Sequence, residues 1–256
     1  GRYWYNSAAT RHAAIARAYA PLIEHSVSEH SILIDEAKAG DLIVKNGWME
    51  AYRTTERRDA DFAFAERLAR DHGISHTKLD ETELAAAEPH LSRDFVGGLK
   101  WDDPWSVRDP HALTLAYLKL FESLGGTFVR GDASTLSQTT SGWTVRTETG
   151  AVEAEHAVVA LGPWADTVTE RLGYRFPLGV KRGYHMHYAP QEGTKLNNWL
   201  IDAERGYFLA PMRKGIRLTT GAEFAERDAP KSPVQIERAE RVARTVFPFG
   251  GRLDAE

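Results

Sequence analysis

His156–Gly173, HAVVALGPWADTVTERLG, is the stretch whose reading decides the fold. His156–Ala160 is short and apolar with β-branched residues at its centre, which predicts a strand covered on both faces. Gly162 allows a tight backbone turn, and Pro163 suits a first helical position, where its missing N–H costs nothing. Trp164, Val168 and Leu172 recur at i, i+4 and i+8, one face of a helix. A strand that runs into a helix N-terminus is where α/β proteins hold anions, because free N–H groups and the helix dipole point there. Many such turns carry no ligand, so the stretch alone reads equally as a structural turn or an anion site.

Upstream, Ala133–Gln138, Trp143–Thr147 and Ala151–Ala154 are short strand-like runs separated by Ser141-Gly142 and Thr149-Gly150, a small antiparallel meander. Before them, Asp109 can cap a helix that opens on Pro110 and stops at Gly125, with Leu113, Ala116, Tyr117, Leu120, Phe121 and Leu124 on one stripe. Phe95–Trp101 and Thr127–Arg130 read as strands on either side of it, which predicts a crossover unit. Further back, Asp80-Glu81-Thr82-Glu83 reads as a capping box, and Glu56–His72 as a helix stopped by Gly73. Asn46-Gly47, between Asp41–Lys45 and Met49–Arg53, predicts a hairpin. Thr10–His30 is an alanine-rich helix that Pro21 kinks or divides. Its few large apolar residues place it on a surface or against something absent from this sequence.

Downstream, Leu178–Tyr188, Leu196–Asp202, Tyr207–Pro211 and Ile216–Ala222 are strand-like. Ser232-Pro233-Val234-Gln235 opens a last helix, ended by Pro248, with Ile236, Ala239, Ala243, Val246 and Phe247 inward. The expected class is α+β (α/β): a mainly antiparallel sheet plus part of a Rossmann-like layer. The expected division is 1–104 and 174–256 for the two parts of one domain, with 105–173 as the nucleotide-type layer.

With 42% hydrophobic and 27% charged residues, the chain is an ordinary globular one. A net charge of −4 gives no argument for nucleic acid. The absence of cysteine excludes disulfides, thiol catalysis and thiolate metal sites. No apolar run approaches the roughly 20 residues of a membrane-spanning helix. The chain opens on Gly1 and mid-pattern, as a piece of a longer protein would.

No GxGxxG, Walker or GxSxG fingerprint occurs. Leu178–Tyr188, LGVKRGYHMHY, is the densest polar-aromatic segment. As one strand it puts Arg182 and Tyr184 on one face, where guanidinium and phenol could clamp a carboxylate, and His185 with His187 on the other. An amphipathic strand with one solvated face explains it too. The two histidines have a metal-like spacing, but Lys181 shares their face and no acid falls in the segment, so no metal is assigned. Asp102 and Asp103 pair two carboxylates, equally explained as loop residues. Tyr207 and Arg217 lie on later strands and could line a pocket.

Several pieces then line up in order: Glu88-Pro89, Gly97-Gly98, Asp109-Pro110, Leu124-Gly125-Gly126, Gly131-Asp132-Ala133, Val158–Trp164, Lys181–His185, Tyr207–Pro211 and Gly215–Phe224. This succession resembles the FAD-dependent D-amino-acid oxidase superfamily, most of all its bacterial D-amino-acid dehydrogenase branch, with glycine and sarcosine oxidases as cousins. The family's N-terminal GxGxxG segment and its C-terminal flavin-covering segment have no counterpart here, so the sequence resembles the middle of such an enzyme. The resemblance implies FAD as cofactor, with Asp132 and Ala133 near the adenine and Ala160, Leu161, Gly162 and Trp164 against the dinucleotide. It implies that Arg182, Tyr184, His185, Tyr207 and Arg217 floor a pocket for an amino acid or amine, and it identifies no catalytic residue. It further implies an electron acceptor and a cytoplasmic enzyme, peripheral to the inner membrane in its full-length form. Missing sheet neighbours imply self-association. A non-catalytic fragment and a small-anion-binding protein without redox activity are the alternatives.

Overall fold

The computed structural model describes residues 2–253. In chain order it contains α1 (Arg2–Asn6), α2 (Ala9–Glu36), β1 (Ile43–Val44), β2 (Trp48–Tyr52), α3 (Thr55–His72), β3 (His76–Leu79), α4 (Glu81–Ala87), β4 (Gly97–Trp101), β5 (Ser106–Val107) and α5 (Pro110–Ser123). There follow β6 (Gly131–Gln138), β7 (Trp143–Thr147), β8 (Gly150–Ala154), α6 (Asp166–Thr169), β9 (Lys181–Arg182), β10 (His185–Pro190) and β11 (Leu200–Asp202). The last are β12 (Tyr207–Met212), β13 (Gly215–Thr219), β14 (Glu223–Phe224), α7 (Val234–Val246) and β15 (Phe249–Arg252).

Helix ends follow local chemistry. Thr54 caps α3 by accepting from Arg57 N, and Gly73 at φ +68° ends it in the left-handed region that glycine enters without strain. Asp80 and Glu83 form the reciprocal capping box of α4. Asp109 Oδ1 accepts from Ala112 N at 2.9 Å to open α5, with Pro110 inside the first turn.

The principal sheet has eight strands in the order β15-β10-β13-β12-β11-β2-β4-β3. Its described pairings are antiparallel except β2–β11, where Met49 faces Leu200 in parallel register. Both ends of the chain therefore build one sheet. On one face Met49, Tyr188, Leu200, Leu209 and Leu218 pack with Ile236, Ala243 and Val246 of α7 and Leu84 of α4. On the other face Tyr52, Leu99 and Trp101 pack under Ala65 and Phe62 of α3. A third cluster joins Ile34 at the end of α2 to Leu42 and to Leu113 of α5.

Buried polar groups are tied where the chain crosses itself. The Glu88 carboxylate, fully buried, accepts from Asn197 N, Asn198 N and Asn198 Nδ2. Burial still pushes its pKa above the ordinary value. Asp202, equally buried, holds Arg53 at 2.8 Å.

Several expectations are corrected. Asn46-Gly47 is not a hairpin turn: β1 pairs with β5, whereas β2 pairs with β4 and β11. Gly47, at φ +70° with its N–H on Pro104 O, passes the chain from one sheet to the other. The crossover around α5 is absent, because residues 127–130 are not a strand and β4 lies between β2 and β3. His156–Ala160 is neither a strand nor buried. Val158 is 90% exposed, and no described strand offers the segment a ladder. The helix after it shrinks to a 3-10 turn, Gly162–Trp164, and the single turn of α6. Leu178–Tyr188 breaks at Gly183-Tyr184 into β9, which pairs with β14, and β10 of the large sheet. Pro21 does not divide α2, which continues to Glu36.

Candidate functional site

The segment 181–187 gathers the most side-chain chemistry, and the break in the strand organises it. β9 pairs Arg182 with Glu223 across the ladder. The Arg182 guanidinium then donates to Glu223 Oε1 at 2.5 Å, to Tyr184 Oη at 3.0 Å and to the carbonyls of Ala229 and Pro230. Tyr184 Oη donates to the same Glu223 oxygen at 2.5 Å and accepts from Ser232 N at 3.0 Å. Arg182 and Tyr184 do clamp a carboxylate, as their pairing suggests, but it is the chain's own Glu223. Hydrogen bonds from Tyr184 and then Arg182 hold the Glu223 carboxyl below its ordinary pKa. The network straps residues 223–232 to the end of β10.

Beneath that strap lies a pocket of about 680 Å³ lined by Arg182, Tyr184, His185, Met186, Arg227, Lys231 and Ile236, among others. No aspartate or glutamate is among its lining residues. Arg227 also reaches the Gly162–Trp164 turn. It donates to Pro163 O at 3.4 Å, lies 3.6 Å from Asp166 and stands over the Trp164 ring at 6.0 Å. Glu223 and Arg227 escaped sequence reasoning. Glu223 lay inside a matched segment, and only the β9–β14 pairing reveals its role.

Arg217 lies outside this lining, on β13. Register places it opposite His187 on β10 and Ala210 on β12, so His187, Arg217, Phe208 and Ala210 share a face. Arg217 Nε is buried without a hydrogen-bond partner, and burial lowers its pKa. A guanidinium nitrogen left so is costly unless an acceptor approaches it. His185, next on that face, is held below the ordinary histidine pKa by burial, then by Arg217 and His187. Its ring stands edge-on to His187 at 5.6 Å. Among the described residues no metal-ligating cluster forms. Tyr207 does not join Arg217. It points to the opposite face, into the core under α7, where burial raises its pKa.

The other expected residues meet around α6. β6 starts at Gly131, and α6 packs on it, with Arg171 donating to Ser134 O at 2.7 Å. Asp132 is exposed and accepts from Ser134 N at 2.9 Å; the Ser134 side chain and then its N–H lower the Asp132 pKa. Ala160 is exposed, Leu161 half-buried and Trp164 54% exposed, and Gly162 at φ +53° has open space where a Cβ would stand. An unpaired apolar segment ending in a left-handed glycine offers backbone groups and an apolar wall. That donor set fits one side of a dinucleotide. Asp102 and Asp103 accept instead from Ser75 and Thr77, a loop role.

The family model of FAD dependent oxidoreductases (DAO) matches residues 2–256. A D-amino-acid oxidase of Bradyrhizobium diazoefficiens is 29% identical over 216 residues, 84% of this chain and 50% of that protein. A D-amino acid dehydrogenase of Chromohalobacter salexigens is 29% identical over 192 residues, 72% of this chain and 46% of that one. The chain thus spans about half the length of these curated relatives. In fold it resembles glycine oxidase from Geobacillus kaustophilus, with a TM-score of 0.71 at 20% identity over 92% of this chain and 62% of that one. L-proline dehydrogenase from P. horikoshii follows at a TM-score of 0.70 and 15% identity, over 88% and 61%. No described helix is long and apolar enough to cross a membrane. The chain belongs to the family of FAD-dependent oxidoreductases described by that model, DAO.

Proposed function

We propose that this chain supplies the substrate side and one cofactor wall of an enzyme that oxidatively deaminates D-amino acids. The observation that carries the reading is Arg227. It joins the Gly162–Trp164 turn, expected against the dinucleotide, to the pocket that contains Arg182, Tyr184 and His185. Two sets of residues expected on either side of a reaction centre thereby become one continuous surface. On this reading residues 105–173 form the cofactor side, and 1–104 with 174–256 the substrate side. Bound FAD supplies the hydride acceptor. With FAD held there, the substrate α-carbon would lose hydride and its amine a proton, and the resulting imine would take up water to give an oxo acid and ammonia. The electrons would then pass to an acceptor. Asp132, Ala133, Ala160, Leu161, Gly162 and Trp164 would hold the cofactor. The unpartnered Arg217 Nε suits the substrate carboxylate, and Phe208 on the same face suits its side chain. Arg182 and Tyr184 shape the site by fixing the 223–232 strap, and Tyr207 supports the sheet from behind.

Gel filtration of the chain with FAD tests the cofactor wall. Co-elution of flavin absorbance at about 450 nm is expected, with Trp164 emission quenched. Anaerobic bleaching of that absorbance by D-alanine but not L-alanine tests the substrate. Bleaching by glycine or sarcosine alone would move the reading to the amine oxidases. A chain that retains no FAD would leave a non-catalytic fragment.

A further inference from the structure

The long helix α2 carries a stripe of apolar side chains that the other described residues leave exposed. It is fastened at its C-terminal end, where Ile34 is buried against Leu113 and His30 Nδ1 lies 2.9 Å from Tyr117 Oη. The turns before His30 overhang. Tyr19, Ile23, Val27, His30 and Ile34 follow one another at i, i+4, i+8, i+11 and i+15, so the anchored face continues along the overhang. Ile15 and Leu22 widen it. The five apolar side chains of the overhang are between 39% and 67% exposed among the described residues.

Charge identifies the occupant. Before Pro21 the helix carries Arg11, His12 and Arg17 and no acid. After it come Glu24, Glu29, Asp35 and Glu36 and no lysine or arginine. This arrangement opposes the helix dipole, which favours acids at the N-terminus and bases at the C-terminus. An isolated α2 is therefore penalised at both ends. A second α2 lying antiparallel eases both penalties: Arg11 and Glu29, on the same edge of the stripe, come together across the pair, while Arg17 and Glu24 on the far side add only the longer-range attraction of a basic half for an acidic one. A parallel neighbour would set like charges together. Centred on Pro21, antiparallel pairing places Ile15 level with Val27, Tyr19 level with Ile23, and Arg11 level with the Glu29–Ser31 turn of the other copy.

We propose that α2 is a two-fold self-association surface, on which two copies of this chain pair antiparallel through Ile15, Tyr19, Leu22, Ile23 and Val27. Such an interface is isologous, so it closes at the dimer. One helix pair is small by interface standards, which implies a weak dimer with Kd on the order of 10 μM.

Sedimentation velocity of the full chain tests this. A dimer is expected at about 100 μM and a monomer at about 1 μM. Ile23→Asp should weaken the dimer at least about ten-fold without moving the thermal midpoint, because Ile23 is outside the core. The double variant Arg11→Glu with Arg17→Glu should also be monomeric, as should Glu24→Lys with Glu29→Lys. An equimolar mixture of the two should dimerise. A monomer at every concentration, with the stripe left for a different partner, overturns the proposal. So does a dimer indifferent to Ile23→Asp and to both charge reversals.

Discussion

At the scale of single residues, the polar face of β10 and β13 makes the sharpest statement. The His185 pKa is lowered by partial burial first, and then by the positive charge of Arg217 and by His187. Its folded pKa therefore lies below the ordinary value of 6.5. As pH falls through the ordinary histidine range, the unfolded chain takes up a proton before the folded one. The stability His185 contributes is thus full above that range and is lost on acidification. Arg217→Ala should raise the His185 midpoint part of the way back, because burial, the larger cause, remains. Proton-detected NMR titration of the His185 ring reads this directly. An unchanged or lowered midpoint would remove Arg217 from the neighbourhood of His185. Only part of this was legible in the sequence. Alternation along a strand correctly put His185 with His187 and Tyr184 with Met186 on opposite faces. It could not show that Arg182 spends its charge on Glu223, 41 residues away, nor that Tyr207 and Arg217 lie on opposite sides of one sheet.

Among the elements, those written in local chemistry were read correctly: the capping box at Asp80, the Asp109-Pro110 start of α5, the Gly73 stop of α3 and the meander from β6 to β8. Elements that depend on distant partners were not. Ile43–Val44 and Trp48–Tyr52 look like two arms of a hairpin, and each finds a better partner elsewhere, at Ser106-Val107 and at Gly97–Trp101. Gly47 is where this choice is enforced. A Cβ there would stand 1.8 Å from Trp101 O in a backbone conformation that side chains rarely adopt. The loop cannot yield without pulling β2 off β4. Gly47→Ala should therefore cost about 3 kcal/mol or more, at the upper end for a single substitution. Gly73→Ala has open space around its Cβ and should cost about 1 kcal/mol, from its positive φ alone. Urea denaturation of the two variants separates them. Equal losses would mean that the crossing at Gly47 is not tight.

Across the whole molecule, two regions stand out from the well-packed sheet, for different reasons. The overhang of α2 has regular backbone and an uncovered apolar stripe, whereas residues 155–178 have an irregular backbone and exposed apolar groups such as Val158 and Tyr174. If the first is a surface for a second copy and the second a wall for the cofactor, each should respond to its own partner. Limited trypsin digestion offers a cut in each region, at Arg17 in α2 and at Arg175, whose side chain is 87% exposed. Cleavage of an accessible segment follows the population of its open form, so any partner that covers the segment slows the cut. Raising the chain concentration from about 1 to 100 μM should slow cutting at Arg17 and leave Arg175 unchanged. Adding FAD at low chain concentration should slow cutting at Arg175 and leave Arg17 unchanged. Mass spectrometry of the early fragments distinguishes the two sites. Protection of both sites by FAD would mean that cofactor binding reorganises α2 as well, and the two surfaces would then have to be treated as one.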